Sequence, residues 1–348
     1  MKKKSLTLPI LALTTVLVSC GSKPVIPDHA VIDPTKPSFE VGILLPLTVS
    51  ALEDASNGFK AALNEAKATS LQGKTINYTE YNAEGDASSH IAYAKSLVGK
   101  CDLLLGVSTG SSKNLKNARD EAGKKQPLLF TAVTDPVGDG LMRSLTNHDG
   151  SVTGTSDDNP VEAQVNLIVS CFEGKKSADQ IKLGVIYTSD EHNSEVQSDR
   201  ATATARSLGL SSATVYTVDG TIDLAAQARK ACSENDVIYI PTDNNIAGHM
   251  DSIKQATDTY HTLCIVGESG MLQTGGHITY SIDYTLLGRR TGEMAADILS
   301  GNKLTENIDA EKMTEDKYLN KFYSSTNLLA SGISLSEDLL DDFTDINA

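Results

Sequence analysis

Four apolar residues in a row, Val237-Ile238-Tyr239-Ile240, closed by a proline, constrain the fold of this chain more than any other stretch. Such a run, β-branched and aromatic, reads as a strand buried on both faces, as in a parallel sheet covered by helices. Pro241 cannot donate to a strand ladder, so the strand stops there. Thr242, Asp243 and Asn244 are residue types that start helices, and Ile246, Met250, Ile253 and Ala256 follow at helical spacing. The carboxyl end of such a strand and the free N–H groups of the next helix meet at one point. In open α/β sheets that point is where ligands sit.

The chain repeats this pattern. Phe39 to Pro46, Ile76 to Asn82, Asp102 to Leu105 and Pro127 to Val133 read as strands. Between them fall amphipathic stripes such as Leu52, Ala55, Phe59, Ala62, Leu63 and Ala66, and a helix capped by Asp86. Ser151 to Asp157 is a short polar strand placed to cross between lobes. The pattern then restarts at Lys182–Tyr187, Ala213–Val218, the opening stretch and His261–Val266. Ile278 to Tyr284 is a further strand, Leu286 to Leu299 a helix, and Asn320 to Ile333 one or two strands. The expected fold class is therefore α/β, with two Rossmann-like lobes built on parallel sheets. One large doubly wound sheet is the alternative.

Lys2-Lys3-Lys4 followed by an apolar run from Leu6 to Val18 has the form of an export signal, too short to span a bilayer. It ends in Leu17-Val18-Ser19-Cys20-Gly21, which resembles a bacterial lipobox and makes Cys20 the expected lipidation site. Residues 1–19 are then a signal peptide, and 20–38, rich in proline, a tether. Net charge is −15, so nucleic acid and anionic headgroups are repelled, and contact with the membrane is expected through the anchor alone. Cys101, Cys171, Cys232 and Cys264 are scattered without metal-ligand spacing, so no metal or cofactor is expected. Whether Cys232 and Cys264 form a disulfide is open at this point.

Two turns carry chemistry. Gly106-Val107-Ser108-Thr109-Gly110 follows the third strand and matches the G-x-S-x-G elbow of serine hydrolases. That elbow needs an acid and then a histidine later in the chain; His249, His261 and His277 follow, none in a turn after a late strand. The simpler reading is a polar turn whose hydroxyls and N–H groups hold an anionic ligand group, leaving no catalytic residue. Thr131 to Gly138, containing Thr134, Asp135 and Pro136, is the second.

Several segments together resemble the substrate-binding lipoproteins of ABC importers with the type I periplasmic-binding-protein fold, in the subgroup that binds tryptophan and tyrosine. They are Thr131–Val137, Val152–Asp157, Asn193-Ser194-Glu195-Val196-Gln197, Tyr239–Asn244, Ile282-Asp283-Tyr284 and Leu287-Gly288. Two turns depart from that pattern: Thr48-Val49-Ser50 stands where an acid-His-Pro is common, and Ser108-Thr109-Gly110 where Thr-Pro-Ala is common. The resemblance implies three crossovers between the lobes. It places 39–155 with 285–306 in the N-terminal lobe and 156–284 with 307–348 in the C-terminal lobe. It also implies an extracytoplasmic, monomeric protein that closes over a small solute and passes it to a permease and ATPase. For a zwitterionic amino acid, Ser108, Thr109, Ala132 and Thr134 would meet the carboxylate. Glu268 would take the ammonium, with Asp243 as the second acid, and Asp135, Asn193, Asn244 and Asp283 complete the ligand-facing set. A surface ligand sensor with the same fold is the third reading, beside the hydrolase.

Overall fold

The computed structural model describes residues 32–146 and 151–348; the leader, the tether as far as residue 31, and Cys20 lie outside them. The first half runs β1 (Ser38–Leu45), α1 (Ser50–Ala66), β2 (Thr75–Asn82), α2 (Ala87–Leu97), β3 (Leu103–Val107), α3 (Thr109–Glu121), β4 (Leu128–Thr131), β5 (Val152–Ser156). The second half begins with α4 (Val161–Cys171), β6 (Lys182–Thr188), α5 (His192–Ser207), β7 (Ser212–Val218), α6 (Leu224–Glu234) and β8 (Val237–Ile240). It continues with α7 (Asn244–Ala247), α8 (Met250–Tyr260), β9 (Leu263–Val266), α9 (Gly270–Thr274), β10 (Ile278–Ile282) and α10 (Tyr284–Leu299). The end of the chain holds β11 (Glu311–Lys312), β12 (Leu319–Tyr323), α11 (Ser325–Ser331), α12 (Glu337–Leu340) and β13 (Thr344–Asp345).

Two sheets form, not one. The first has the order β11-β5-β4-β3-β1-β2 and is parallel throughout. The second has the order β13-β12-β10-β9-β8-β6-β7, with one antiparallel pair, β10 and β12. Strands β3, β4 and β8 are buried along their whole length, as their unbroken apolar runs require. The chain passes between the sheets after β5, after β10 and after β11. The last passage falls beyond Lys312, a few residues later than the 306/307 boundary read from the sequence, because β11 pairs with β5.

Two further expectations need correction. Asn320 to Ile333 holds one strand, and its second half is the helix α11, started by the Ser324 side chain accepting from the Asn327 N–H. The helix after β8 is broken into α7 and α8 around Gly248 and His249. Cys101, Cys171, Cys232 and Cys264 are buried free thiols. Among the described residues no helix is long and apolar enough to cross a membrane.

Helix α10 returns from the second sheet and lies across α1 at very short range. A Cβ on Gly288 would stand 1.8 Å from the Ala55 carbonyl oxygen, and one on Gly58 2.1 Å from that of Thr285. This crossing fixes the start of α10, and with it Tyr284, against the first lobe.

Candidate functional site

The carboxyl ends of strands from both sheets converge on one interlobe pocket. Its first-lobe wall is Val49, Ala51 and Leu52 at the start of α1, Thr109 after β3, Ala132 after β4 and Asp157 after β5. The second lobe supplies Asn193, Thr242 to Asn244, Ala247, Glu268 and Met271, and Tyr284 opens α10. The space between these walls is about 20 Å³, roughly what one ordered water needs. Ser108 (φ 86°) and Ala132 (φ 56°) hold left-handed backbone conformations that L-residues seldom adopt, both at strand ends facing the cleft.

Three carboxyl groups dominate the pocket: Asp157, Asp243 and Glu268 are each at most 4% exposed. None of the pocket residues is Lys, Arg or His. Asp243 accepts from the Thr188 N–H (2.6 Å), the Thr188 hydroxyl (2.8 Å) and the Ile246 N–H (2.9 Å), so it ties β6 to the start of α7. Glu268 accepts from the N–H groups of Gly270 and Met271 and so closes the start of α9. Asp157 is different. Its side-chain donors are two hydroxyls, Thr134 at 3.1 Å and Tyr284 at 2.8 Å. Burial pushes the Asp157 and Glu268 carboxyls up to about 7 each, against the pull of the hydrogen bonds they accept. Glu191, just behind, is raised to about 8 by burial and by the neighbouring Asp243. Its carboxylate accepts from the backbone of Asn244 and Asn245.

On the first-lobe wall, which also carries Asp157, the Thr109 hydroxyl is buried and has no hydrogen-bond partner. Helix α1 has Val49 as its N-cap, with no side-chain cap, and Val49, Ala51 and Leu52 at its start line the pocket. Val49, Leu52, Ala247 and Met271 give the pocket an apolar side. Buried acids, a free hydroxyl at a helix start and an apolar flank suit a zwitterion bearing a hydrophobic side chain.

Of the residues expected from the sequence, Thr109, Ala132, Asn193, Asp243, Asn244 and Glu268 line this pocket. Ser108 lies just outside it, in an adjoining chamber that Thr109 also lines. Thr134 stands behind Asp157 as its hydroxyl donor. Asp135 does not reach the pocket; it accepts from the Gly138 N–H and lines a separate cavity near the crossovers. Asp283 is also outside, capping α10 through the Leu286 N–H and accepting from Asn320. Tyr284 lines the pocket, while Tyr239 of β8 is in the core with its hydroxyl on Gln164. Asp157 is the acid that the sequence reading passed over. Its signal is a carboxylate ending a strand that was expected to cross between the lobes and that carries part of the family resemblance.

The hydrolase geometry does not assemble around Ser108. Its hydroxyl accepts from the Ser111 N–H at 3.5 Å, and the nearby His90 bonds the Ser111 hydroxyl instead, at 2.9 Å.

Residues 40–345 match the family model described as ABC transporter substrate binding protein. A tyrosine-binding protein of Clostridioides difficile (strain R20291) is 30% identical over 275 residues, covering 78% of this chain and 75% of that protein. Among solved structures, a conserved domain protein of Vibrio cholerae aligns with a TM-score of 0.78 at 26% identity, over 88% of this chain and 99% of the other. A Streptococcus pneumoniae ABC domain in complex with L-Trp aligns with a TM-score of 0.76, also at 26% identity and with the same coverage.

Proposed function

The chain belongs to the ABC transporter substrate-binding protein family, and from that premise we propose that it captures a zwitterionic amino acid, an aromatic one, between its lobes and delivers it to a permease. The observation that carries this reading is a pocket with three buried carboxyls, a buried, unpartnered Thr109 hydroxyl and no basic side chain. A desolvated acid cluster of this kind is stabilised by an incoming ammonium group. Asp157, which accepts from the Tyr284 hydroxyl and caps no helix, is the ammonium's first acceptor, with Glu268 as the second. Thr109, the backbone at Ala132 and the first turn of α1 receive the carboxylate. The relatives, one named for tyrosine binding and one solved with L-Trp, support an aromatic side chain.

Ligand raises the melting temperature by linkage: at a hundredfold excess over Kd the gain is about 2.7 kcal/mol. A thermal-shift panel of the twenty amino acids is expected to single out tyrosine, tryptophan or phenylalanine. A flat panel, with no amino acid released on denaturing the purified protein, overturns the reading.

The same reading places the protein outside the cytoplasm, held by two acyl chains on Cys20. The Cys20→Ser variant is expected in the soluble extracytoplasmic fraction. Retention of that variant on membranes refutes the anchor.

A further inference from the structure

Beside the inner pocket lies a larger chamber of about 390 Å³, also walled by both lobes. Thr109, Asn193 and Asn244 line both spaces, so they form the sill between them. From that sill the chamber follows one face of α3, past Lys113 and Asn114 to Asn117. Eight residues of helix make this reach about 12 Å. At about 20 Å³ the inner pocket cannot enclose a whole amino acid, so the side chain of a ligand held there extends over the sill into the chamber.

The chemistry of the chamber is polar and favours donors. Asn114, Asn117, Asn244 and Asn245 contribute amide groups from both lobes. Asp139 pairs with Lys113 at 3.3 Å through one oxygen, while its other oxygen is buried and unpartnered. Asp86 and Asp190 add negative charge, and Asp86 is kept ionised, at about 2, by the Ser88 hydroxyl and the Ser89 N–H. The Thr109 hydroxyl on the sill is also buried without a partner. The unpartnered Asp139 oxygen and a surplus of carboxylates over the one lysine select against an anionic group.

We propose that this chamber is a second subsite, which binds the tip of the ligand side chain and selects amino acids whose side chain ends in a neutral or cationic hydrogen-bond donor. The proposal rests on the amino-acid reading of the inner pocket. It assigns the specificity of the protein to Asp190, Asn114 and Asn117, away from the head-group contacts.

A para-substituted series separates the two claims, since every member keeps the same head group and ring. Isothermal titration of L-phenylalanine, L-tyrosine, 4-guanidino-L-phenylalanine and 4-carboxy-L-phenylalanine is expected to give tighter binding for tyrosine and the guanidino compound. Each should exceed phenylalanine by tenfold or more, with the carboxy compound weakest. The double variant Asn114→Ala/Asn117→Ala is expected to level tyrosine with phenylalanine while leaving phenylalanine affinity within about threefold. Equal binding of all four by the wild type, or the carboxy compound binding best, overturns the subsite and leaves the amino-acid reading standing. If none of the four binds while another class of solute does, the head-group reading fails first.

Discussion

Replacing Gly288 with alanine is expected to destabilise the protein by about 3 kcal/mol, although the same change elsewhere in a helix stabilises by up to about 1 kcal/mol. The added Cβ would lie 1.8 Å from the Ala55 carbonyl oxygen and 2.7 Å from its Cα, and both are backbone atoms that no rotamer change can move aside. Helices α1 and α10 must therefore separate by more than an ångström along a crossing where a Cβ on Gly58 or Gly292 would also stand 2.1 or 2.5 Å from the partner backbone. A shift of about 6–12 °C in the melting temperature follows, given 2–4 °C per kcal/mol for a unit of this size. Gly110→Ala is the control: its Cβ meets only the His90 ring at 3.5 Å, an ordinary contact, and no destabilisation is expected. A Gly288→Ala variant that melts with the wild type refutes the tight crossing. The crossing also bears on binding, because Tyr284 is the first residue of α10, and a displaced helix carries that ring away from Asp157.

The strand–turn–helix order was legible because buried parallel strands write themselves as unbroken apolar runs. Leu103-Leu104-Leu105 and Val237 to Ile240 admit few other readings, and both are fully buried strands. The two-sheet division was legible from the pattern starting twice. Residues 320–333 were harder. Leu328, Leu329 and Ile333 are apolar at a spacing short enough to suit either a strand or a single helical turn pair, and the Ser324 cap decides for a helix.

The site was legible in its outline and ambiguous in its acids, for a physical reason. A carboxylate at a strand-to-helix turn can serve the helix or a ligand, and the sequence looks the same in both cases. Asp283 and Asp135 serve backbone N–H groups outside the pocket, whereas Asp243 and Glu268 cap helices from inside it. Asp157 caps nothing. The residue that identifies it, Tyr284, lies 127 positions away in the chain, a distance no local pattern can bridge.

That difference sets the last expected result. Asp157→Asn is expected to weaken amino-acid binding by about 2–5 kcal/mol, the usual loss when one partner of a buried charge pair is neutralised. The protein without added ligand should not suffer, because asparagine keeps an acceptor for the Tyr284 hydroxyl and removes a charge that burial opposes. The pH dependence works out with opposite signs in the two states. Burial raises the Asp157 carboxyl from its ordinary 3.8 to about 7, so the folded chain holds that proton more tightly than the unfolded one. Its contribution to stability is thus complete below about pH 4 and is lost as pH climbs through 7. Glu268, raised to about 7 by the same cause, adds to this trend. An ammonium group, by contrast, pairs with the ionised carboxylate, so affinity should grow with pH up to about 7 and then level off. Calorimetry from pH 5.5 to 8 is expected to show proton release on binding, up to tenfold tighter binding per unit per titrating carboxyl, and a shallower slope in Asp157→Asn. Melting of the unliganded variant should fall less between pH 5 and 8 than that of the wild type. Were Asp157 only a strut for Tyr284, the variant would melt lower at every pH and keep the wild-type slope in binding, and the ammonium would then have to be assigned to Glu268.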